Sequence, residues 1–325
     1  MPPHYELSGL HIESTQELET LSPCGEPPRE LPRLRFELAV GSRHKPERWI
    51  HQRTAPGCTA PWVSVARIGA NTLLRYHGLA DFLLASKCTT ISCWLEPSCN
   101  AATMEHLLAD HVIPQLWHLR GQPSFHGSAV ALTEAGDVAA FLGDSGAGKS
   151  TLAASLAEPF GLVSDDCLVL RVEPSSVRAF PSYPASRLND DSAVALRAAP
   201  SPPLWARLDP VASTAATGSK ARHAQRSPSA HLSLRALYVV TAGAELPMIV
   251  PVTRRDAVVE LARHLHRLDP NDRVRLANEL DLLVQLVCRV HVAKLLLPHR
   301  FDALAEVQRA VRADFEATVA ASAVL

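Results

Sequence analysis

Eight consecutive residues, Gly143-Asp144-Ser145-Gly146-Ala147-Gly148-Lys149-Ser150, constrain this chain more than any other stretch. They complete the pattern G-x-x-x-x-G-K-[ST], which a chain with 15 glycines and only five lysines produces by chance in roughly one sequence in a thousand. The flanks agree with it. Val138 to Leu142 is an apolar run suited to a buried strand, and Lys149 to Ala157 is rich in Ala and Leu with no breaker, which predicts a helix. A strand that enters a glycine-rich loop and leaves as a helix turns successive backbone N–H groups toward an anion. Glycines let such a loop curl and keep side chains out of the approach. Lys149 then reaches the β- and γ-phosphates of a nucleotide, and the Ser150 hydroxyl is a ligand for Mg2+. The expected cofactor-binding set is Gly143, Asp144, Ser145, Gly146, Ala147, Gly148, Lys149, Ser150 and Thr151.

Two further features flank the loop. Asp165-Asp166 follow Leu162-Val163-Ser164, a short apolar run that reads as a strand. One carboxylate near a phosphate loop holds Mg2+ directly or through water. Adjacent residues at a strand end face opposite sides, so a second carboxylate can face an incoming hydroxyl and take its proton. The competing account is a polar Asp-Asp turn that ends the strand. Upstream, Ser128 to Leu132, the turn Glu134-Ala135-Gly136-Asp137 and Val138 to Leu142 form a predicted hairpin. His126 begins the first strand of that hairpin, which brings it near the loop.

Composition narrows the function classes. Lys+Arg total 32 against 33 Asp+Glu, a formal net charge of -1, so neither a counterion-releasing nucleic-acid binder nor an acidic tail is indicated. The longest apolar stretch, Leu282 to Leu297, contains Gln285, Arg289, His291 and Lys294 and is too interrupted to span a bilayer. The N-terminus lacks the basic start and apolar core of a signal peptide. Seven cysteines without a Cys-x-x-Cys pair fit reduced thiols better than a zinc module. A cytoplasmic protein with no nucleic-acid and no membrane partner is expected.

Residues 1–32 are Pro- and Glu-rich and read as an irregular lead-in. From 33 to 120 the pattern is β-rich: Leu34, Phe36, Leu38 and Val40 alternate with polar residues, and strand-like runs follow at Trp62 to Ile68, Asn71 to Tyr76 and Thr89 to Leu95. Met104, Leu107, Leu108 and Val112 share one helical face, with a kink or restart at Pro114, and the helix ends near Gly121. Residues 121–325 then form the nucleotide-binding part, with a strand over Leu234 to Thr241 and helices over Arg254 to Leu268, Asp272 to Cys288 and Asp302 to Thr318. The fold class expected is α/β, α+β overall: a P-loop domain with a mixed sheet, preceded by a smaller β-rich domain. Ala195 to Leu232 reads either as a lid carrying Lys220 and Arg222 or as an exposed basic linker. The histidines at His264, His266, His291 and His299 read as surface or core residues.

Taken together, His126-Gly127-Ser128, the loop from Gly143 to Ser150 and Val163-Ser164-Asp165-Asp166 resemble the catalytic core of the HPr serine kinase/phosphorylase family and its HPr-kinase-like relatives. The resemblance implies a P-loop fold related to phosphoenolpyruvate carboxykinase and the cofactors ATP and Mg2+. It implies that Lys149 binds phosphates, Ser150 and Asp165 serve the metal, Asp166 is the catalytic base and His126 supports the site. Arg187 and Lys220 occupy regions where relatives carry further basic contacts to phosphate or acceptor. The acidic segment that true HPr kinases use downstream of the Asp pair is absent, so phosphorolysis is not carried over. The implied activity is transfer of the γ-phosphoryl group to a serine of a protein or peptide, the acceptor being a carrier protein or, as in lasso peptide pathways, a precursor peptide. A homo-oligomer is compatible with this. The alternative is a nucleotide-binding regulator of the same fold without kinase activity; the Asn-Lys-x-Asp guanine signature and the Leu-Ser-Gly-Gly-Gln transporter signature do not occur.

Overall fold

Alternating burial builds the outer strands of this protein, and continuous burial builds the central ones, as expected for sheets covered on one face or on two. The computed structural model describes residues 2–21, 23–25, 31–54, 57–182, 185–188, 190–197, 221–224 and 232–322. The chain divides into two units, Met1–Gly121 with Arg267–Leu276, and Gln122–His266 with Ala277–Leu325. Residues 267–276 thus go with the first unit, where the sequence suggested one unbroken stretch from 121 to 325. Mixed α/β content is distributed over two mixed sheets. Among the described residues, no helix is long and apolar enough to cross a membrane.

The first unit is built on one eight-stranded sheet. Its strands are β1 (His4–Leu7), β2 (Leu10–Ser14), β3 (Arg33–Leu38), β4 (Trp49–Thr54), β5 (Pro61–Ile68), β6 (Asn71–Tyr76), β7 (Ala80–Leu84) and β8 (Thr90–Leu95), in the order β1-β2-β3-β8-β7-β6-β5-β4. β3 runs parallel to both its neighbours, and the other pairs are antiparallel. The irregular lead-in expected over 1–32 is corrected by β1 and β2. Tyr5 and Leu7 are buried while Glu6 is exposed, and Ser8 and Gly9, at φ 50° and 74°, close a two-residue hairpin turn. A strand of four residues is too short to show its alternation among prolines and glutamates.

Helices α1 (Ala101–Leu107) and α2 (Ile113–Leu119) are joined by a π-helical turn, Leu108–Val112. Pro114 comes just after the π turn, where the ladder of helix hydrogen bonds is already shifted. Buried Glu105 ties α1 to the N-terminal segment by accepting the Glu19 and Thr20 backbone N–H groups at 2.8 and 2.7 Å. Asp81 is fully buried beneath Arg43 and Arg75. Burial pushes its carboxyl up, but the hydrogen bonds and charges of the two guanidinium groups outweigh that and hold it below the usual carboxylate range.

The second unit contains β9 (Ser124–Phe125), β10 (Gly127–Ala131), β11 (Asp137–Leu142), α3 (Lys149–Leu156), β12 (Leu162–Ser164), β13 (Leu168–Val172), β14 (Val177–Phe180), β15 (Ala185–Leu188), α4 (Asp190–Arg197) and β16 (Ala221–Ala224). It continues with β17 (Ser233–Ala242), β18 (Met248–Pro251), α5 (Arg254–Arg263), α6 (Arg273–Val287, from Ala277 onward), β19 (His291–Leu297) and α7 (Leu304–Ser322). The sheet runs β12-β10-β11-β17, with β19 parallel to β17 on its other side and β18 at the edge; β14, β13 and β9 branch from the start of β17. β11 and β17 are parallel. β15 and β16 form a separate pair.

Period-two alternation sorts the side chains of the central strands to two cores. Ala139, Phe141, Ala236, Tyr238 and Leu295 pack with α3 and α7, while Val138, Leu142, Leu237, Val239 and Val292 pack with α5 and α6. Each fully buried Leu, Val or Phe contributes about 1.5–3 kcal/mol. The sheet is therefore held on both faces, and the loop after β11 emerges from a rigid base.

Candidate active site

The glycine-rich loop leaves β11 at its C-terminal end, beside the parallel strand β17. Gly143 has φ +149°, and a Cβ there would lie 2.5 Å from the Val240 carbonyl oxygen of β17. Only a residue without a side chain allows this approach. The loop closes on Gly148, left-handed at φ +94°, which caps α3 without a side-chain hydrogen bond. The first N–H groups of α3 thus face the loop rather than a capping side chain. Lys149 is 6% exposed, and its Nζ donates to the Gly143 and Asp144 carbonyl oxygens, both at 2.9 Å. The buried cation is thus held by two carbonyls of its own loop.

β12 delivers the Asp pair to the same end of the sheet. It pairs with β10 in the register Ala129↔Ser164, which sets Asp165 beside Ser128. Asp165 is fully buried; its Oδ1 accepts from the Ser128 hydroxyl at 2.6 Å and from the Asp166 N–H at 3.2 Å. Asp166 turns the other way. Its φ of +67° is left-handed, a conformation that Asp tolerates better than most residues but at a cost of order 1–2 kcal/mol. His126 meets that turn: its Nδ1 donates to the Asp166 carbonyl oxygen at 3.1 Å.

His126 is itself pinned from α5. Its N–H donates to the His264 carbonyl oxygen at 3.0 Å, and the His266 N–H donates to the Ser124 carbonyl oxygen at 2.9 Å. The His264 imidazole lies within the electrostatic reach of the loop. Burial pushes its pKa below the ordinary histidine value, Asp144 opposes that, and Lys149 adds to it.

These elements surround a cavity of about 440 Å3, within the range of about 300–1,000 Å3 usual for small-molecule sites. Of the residues singled out in the sequence, Ser145, Gly146, Gly148, Lys149, Ser150, Thr151, Asp166 and His126 line it. Gly143, Asp144, Ala147 and Asp165 are not among the residues that line it. Arg187 falls in β15, but its side chain lies outside the described residues, as does Lys220 with most of the 195–232 segment. Two parts of the wall were not anticipated. One is Asp191 and Ser192 of α4, where the Ser192 hydroxyl hydrogen-bonds that of Thr151 at 2.8 Å. The other is the connection from β19 to α7, where Leu297, His299, Arg300 and Phe301 reach the cavity. A strand running into Pro298-His299-Arg300 and out as a helix repeats the strand-loop-helix logic of the glycine loop, and that was the available signal.

The side chains with oxygen atoms that line this cavity are those of Ser145, Ser150, Thr151, Asp166, Asp191 and Ser192. They suit a hard cation such as Mg2+, which takes few protein ligands and keeps phosphate oxygens and water for the rest. Among the described residues there is no group of three or more His, Cys, Asp or Glu side chains that could hold a metal ion by themselves. The chain matches no protein-family model and no curated protein.

Proposed function

We propose that the second unit is a P-loop phosphotransferase that moves the γ-phosphoryl group of ATP, with Mg2+, to a serine hydroxyl of a protein or peptide. The observation that carries this reading is the convergence of Asp166 with Lys149 and Ser150 on one cavity, from elements fifteen or more residues apart, with Asp166 left-handed and its carbonyl bonded to His126. Unusual backbone at a cavity wall motivates a functional reading. A left-handed Asp also fits a polar turn, so the weight of the reading is on the convergence at the cavity.

In this reading the loop N–H groups and the start of α3 bind the phosphates, and Lys149 leaves its loop carbonyls for the β- and γ-phosphate oxygens. Ser150, with Asp165 near it, would hold Mg2+, and the ion would supply charge neutralisation for the phosphates. Asp166 accepts the serine proton as the hydroxyl oxygen bonds to the γ-phosphorus. The bond from that phosphorus to the β,γ-bridging oxygen breaks, and ADP leaves. His126 bonds the backbone of the base at the Asp166 carbonyl. The resemblance to HPr-kinase-like proteins supports the choice of a serine acceptor.

The test uses γ-labelled ATP and a panel of serine peptides and small carrier proteins, each with its Ser→Ala control. Asp166→Asn should lower transfer by about 10²–10⁴-fold, the usual contribution of a general base, while ATP binding persists; Lys149→Ala should weaken binding itself. Transfer that is unchanged in Asp166→Asn would remove the base assignment. Tight ATP binding with no transfer to any acceptor would favour a nucleotide-binding regulator.

A further inference from the structure

We propose that the connection from β19 to α7 is the nucleobase subsite of this cavity, and that it holds the base chiefly by stacking on Phe301. This rests on the phosphate-binding role of the loop proposed above, and adds where the rest of the nucleotide lies and how it is recognised.

Phe301 is the starting point. It is 46% exposed, and among the described residues it is the one Phe, Tyr or Trp in the exposed class. An exposed phenyl ring on an open surface needs no account, but this one lines the cavity that contains the glycine loop. The cavity wall divides chemically. Asp166, His126, Asp191 and Ser192 are polar, whereas Leu297, Phe301, Leu304 and Val307 are not. A nucleoside triphosphate divides in the same way, with charge at one end and a flat apolar face at the other.

The apolar group also begins where the phosphate loop ends. A Cβ built on Gly148 would lie 3.9 Å from Leu297 Cδ1, so Leu297 is in contact distance of the last glycine before Lys149. A nucleotide anchored on the loop therefore meets Leu297 first, and Phe301 follows it four residues on, at the next turn of the chain. Both are held in place. The Gly243 and Ala244 N–H groups donate to the Leu297 carbonyl oxygen at 3.0 and 3.3 Å. Phe301 opens a single 3-10 turn, Phe301–Ala303, whose Ala303 is buried and which runs directly into α7. A stacking surface fixed in this way loses little entropy on binding.

The same residues predict weak base discrimination. Leu297, Phe301, Leu304 and Val307 carry no side-chain donor or acceptor, so they offer area alone. His299 and Arg300 are the polar residues of the same connection on the cavity, and Arg300 forms an exposed ion pair with Asp302. Stacking strength follows ring area and tolerates any base. Purine triphosphates should bind alike, and pyrimidine triphosphates more weakly.

Calorimetric titration of the full chain with ATP, GTP, CTP and inorganic tripolyphosphate in Mg2+ tests this. The wild type should bind ATP and GTP within about threefold of one another and CTP more weakly. Phe301→Ala should weaken ATP on the order of tenfold or more, the usual loss when a base-stacking aromatic is removed, and leave tripolyphosphate unchanged. Phe301→Trp should restore ATP binding. Equal losses for ATP and tripolyphosphate in Phe301→Ala, an unchanged ATP affinity, or a preference above about a hundredfold between the two purines would overturn the subsite. Tripolyphosphate that binds as tightly as ATP would overturn it too while sparing the loop's role. If the wild type binds neither, the phosphate-binding role itself fails and the subsite falls with it.

Discussion

Gly143→Ala offers the sharpest physical test of the site's construction, because its cost has two separable parts. The first is conformational: at φ +149° an L-residue sits in sparsely populated backbone space, which costs about 1–3 kcal/mol. The second is steric. The new Cβ would lie 2.5 Å from the Val240 carbonyl oxygen and 3.4 Å from its carbon, both backbone atoms of the central strand β17. That strand is hydrogen-bonded to β11 and β19, so it cannot give way as a side-chain tip would. Forcing a methyl group into such a gap costs about 1–3 kcal/mol more. Gly146→Ala supplies the control, since Gly146 is left-handed at φ +82° with nothing within 4 Å of its Cβ. Its cost is the backbone part alone, about 1–2 kcal/mol, less the about 0.4–1 kcal/mol returned by restricting the unfolded chain. Gly143→Ala should therefore exceed Gly146→Ala by about 1–4 kcal/mol in denaturant unfolding followed by circular dichroism, the unfolded-chain gain being common to both. In thermal unfolding the same gap is about 2–16 °C for a unit of this size. If the two variants unfold within about 0.5 kcal/mol of each other, the close approach of loop to strand is not what Gly143 is there for.

Two further perturbations probe other parts of the chain. Ser128→Ala removes the hydroxyl that donates to the fully buried Asp165 carboxylate at 2.6 Å, and should cost about 1.5–3 kcal/mol in the same unfolding assay; a cost below about 0.5 kcal/mol would show that Asp165 does not depend on it. His118 tests pH linkage in the first unit. Burial, with Arg275 and Arg267 nearby, lowers its pKa from 6.5 to about 4. Between those values the unfolded chain takes up a proton that the folded chain refuses, so stability is full above pH 6.5, falls as the pH drops, and levels off below about 4. The 2.5-unit gap, 6.5 minus 4, corresponds to a loss of about 3 kcal/mol. Relative to wild type, His118→Gln should flatten the unfolding free energy between pH 6.5 and 4.5, and an identical slope in both proteins would refute the assignment.

What the sequence made legible is what local rules control. The strand before the glycine loop, the helix after it and the short strand carrying the Asp pair follow from burial pattern and turn chemistry over a few residues each, and the structure has them at β11, α3 and β12. β19 was missed for a local reason as well. It lies inside an apolar run that begins within α6, and periodicity alone does not separate the end of a buried helix from a buried strand. The far wall of the cavity is a different kind of miss. Phe301 and Arg300 lie some 150 residues from Lys149, and they reach the loop because β19 and β11 both run parallel to β17. Parallel neighbours present their C-terminal ends together, so the loops that follow them share one crevice. Even with β19 recognised as a strand that runs into a loop and then a helix, which strands are neighbours is decided by long-range pairing. Once β17 is known to lie between them, the two connections must open on the same end of the sheet. The aromatic in one then becomes part of the site formed by the glycines in the other.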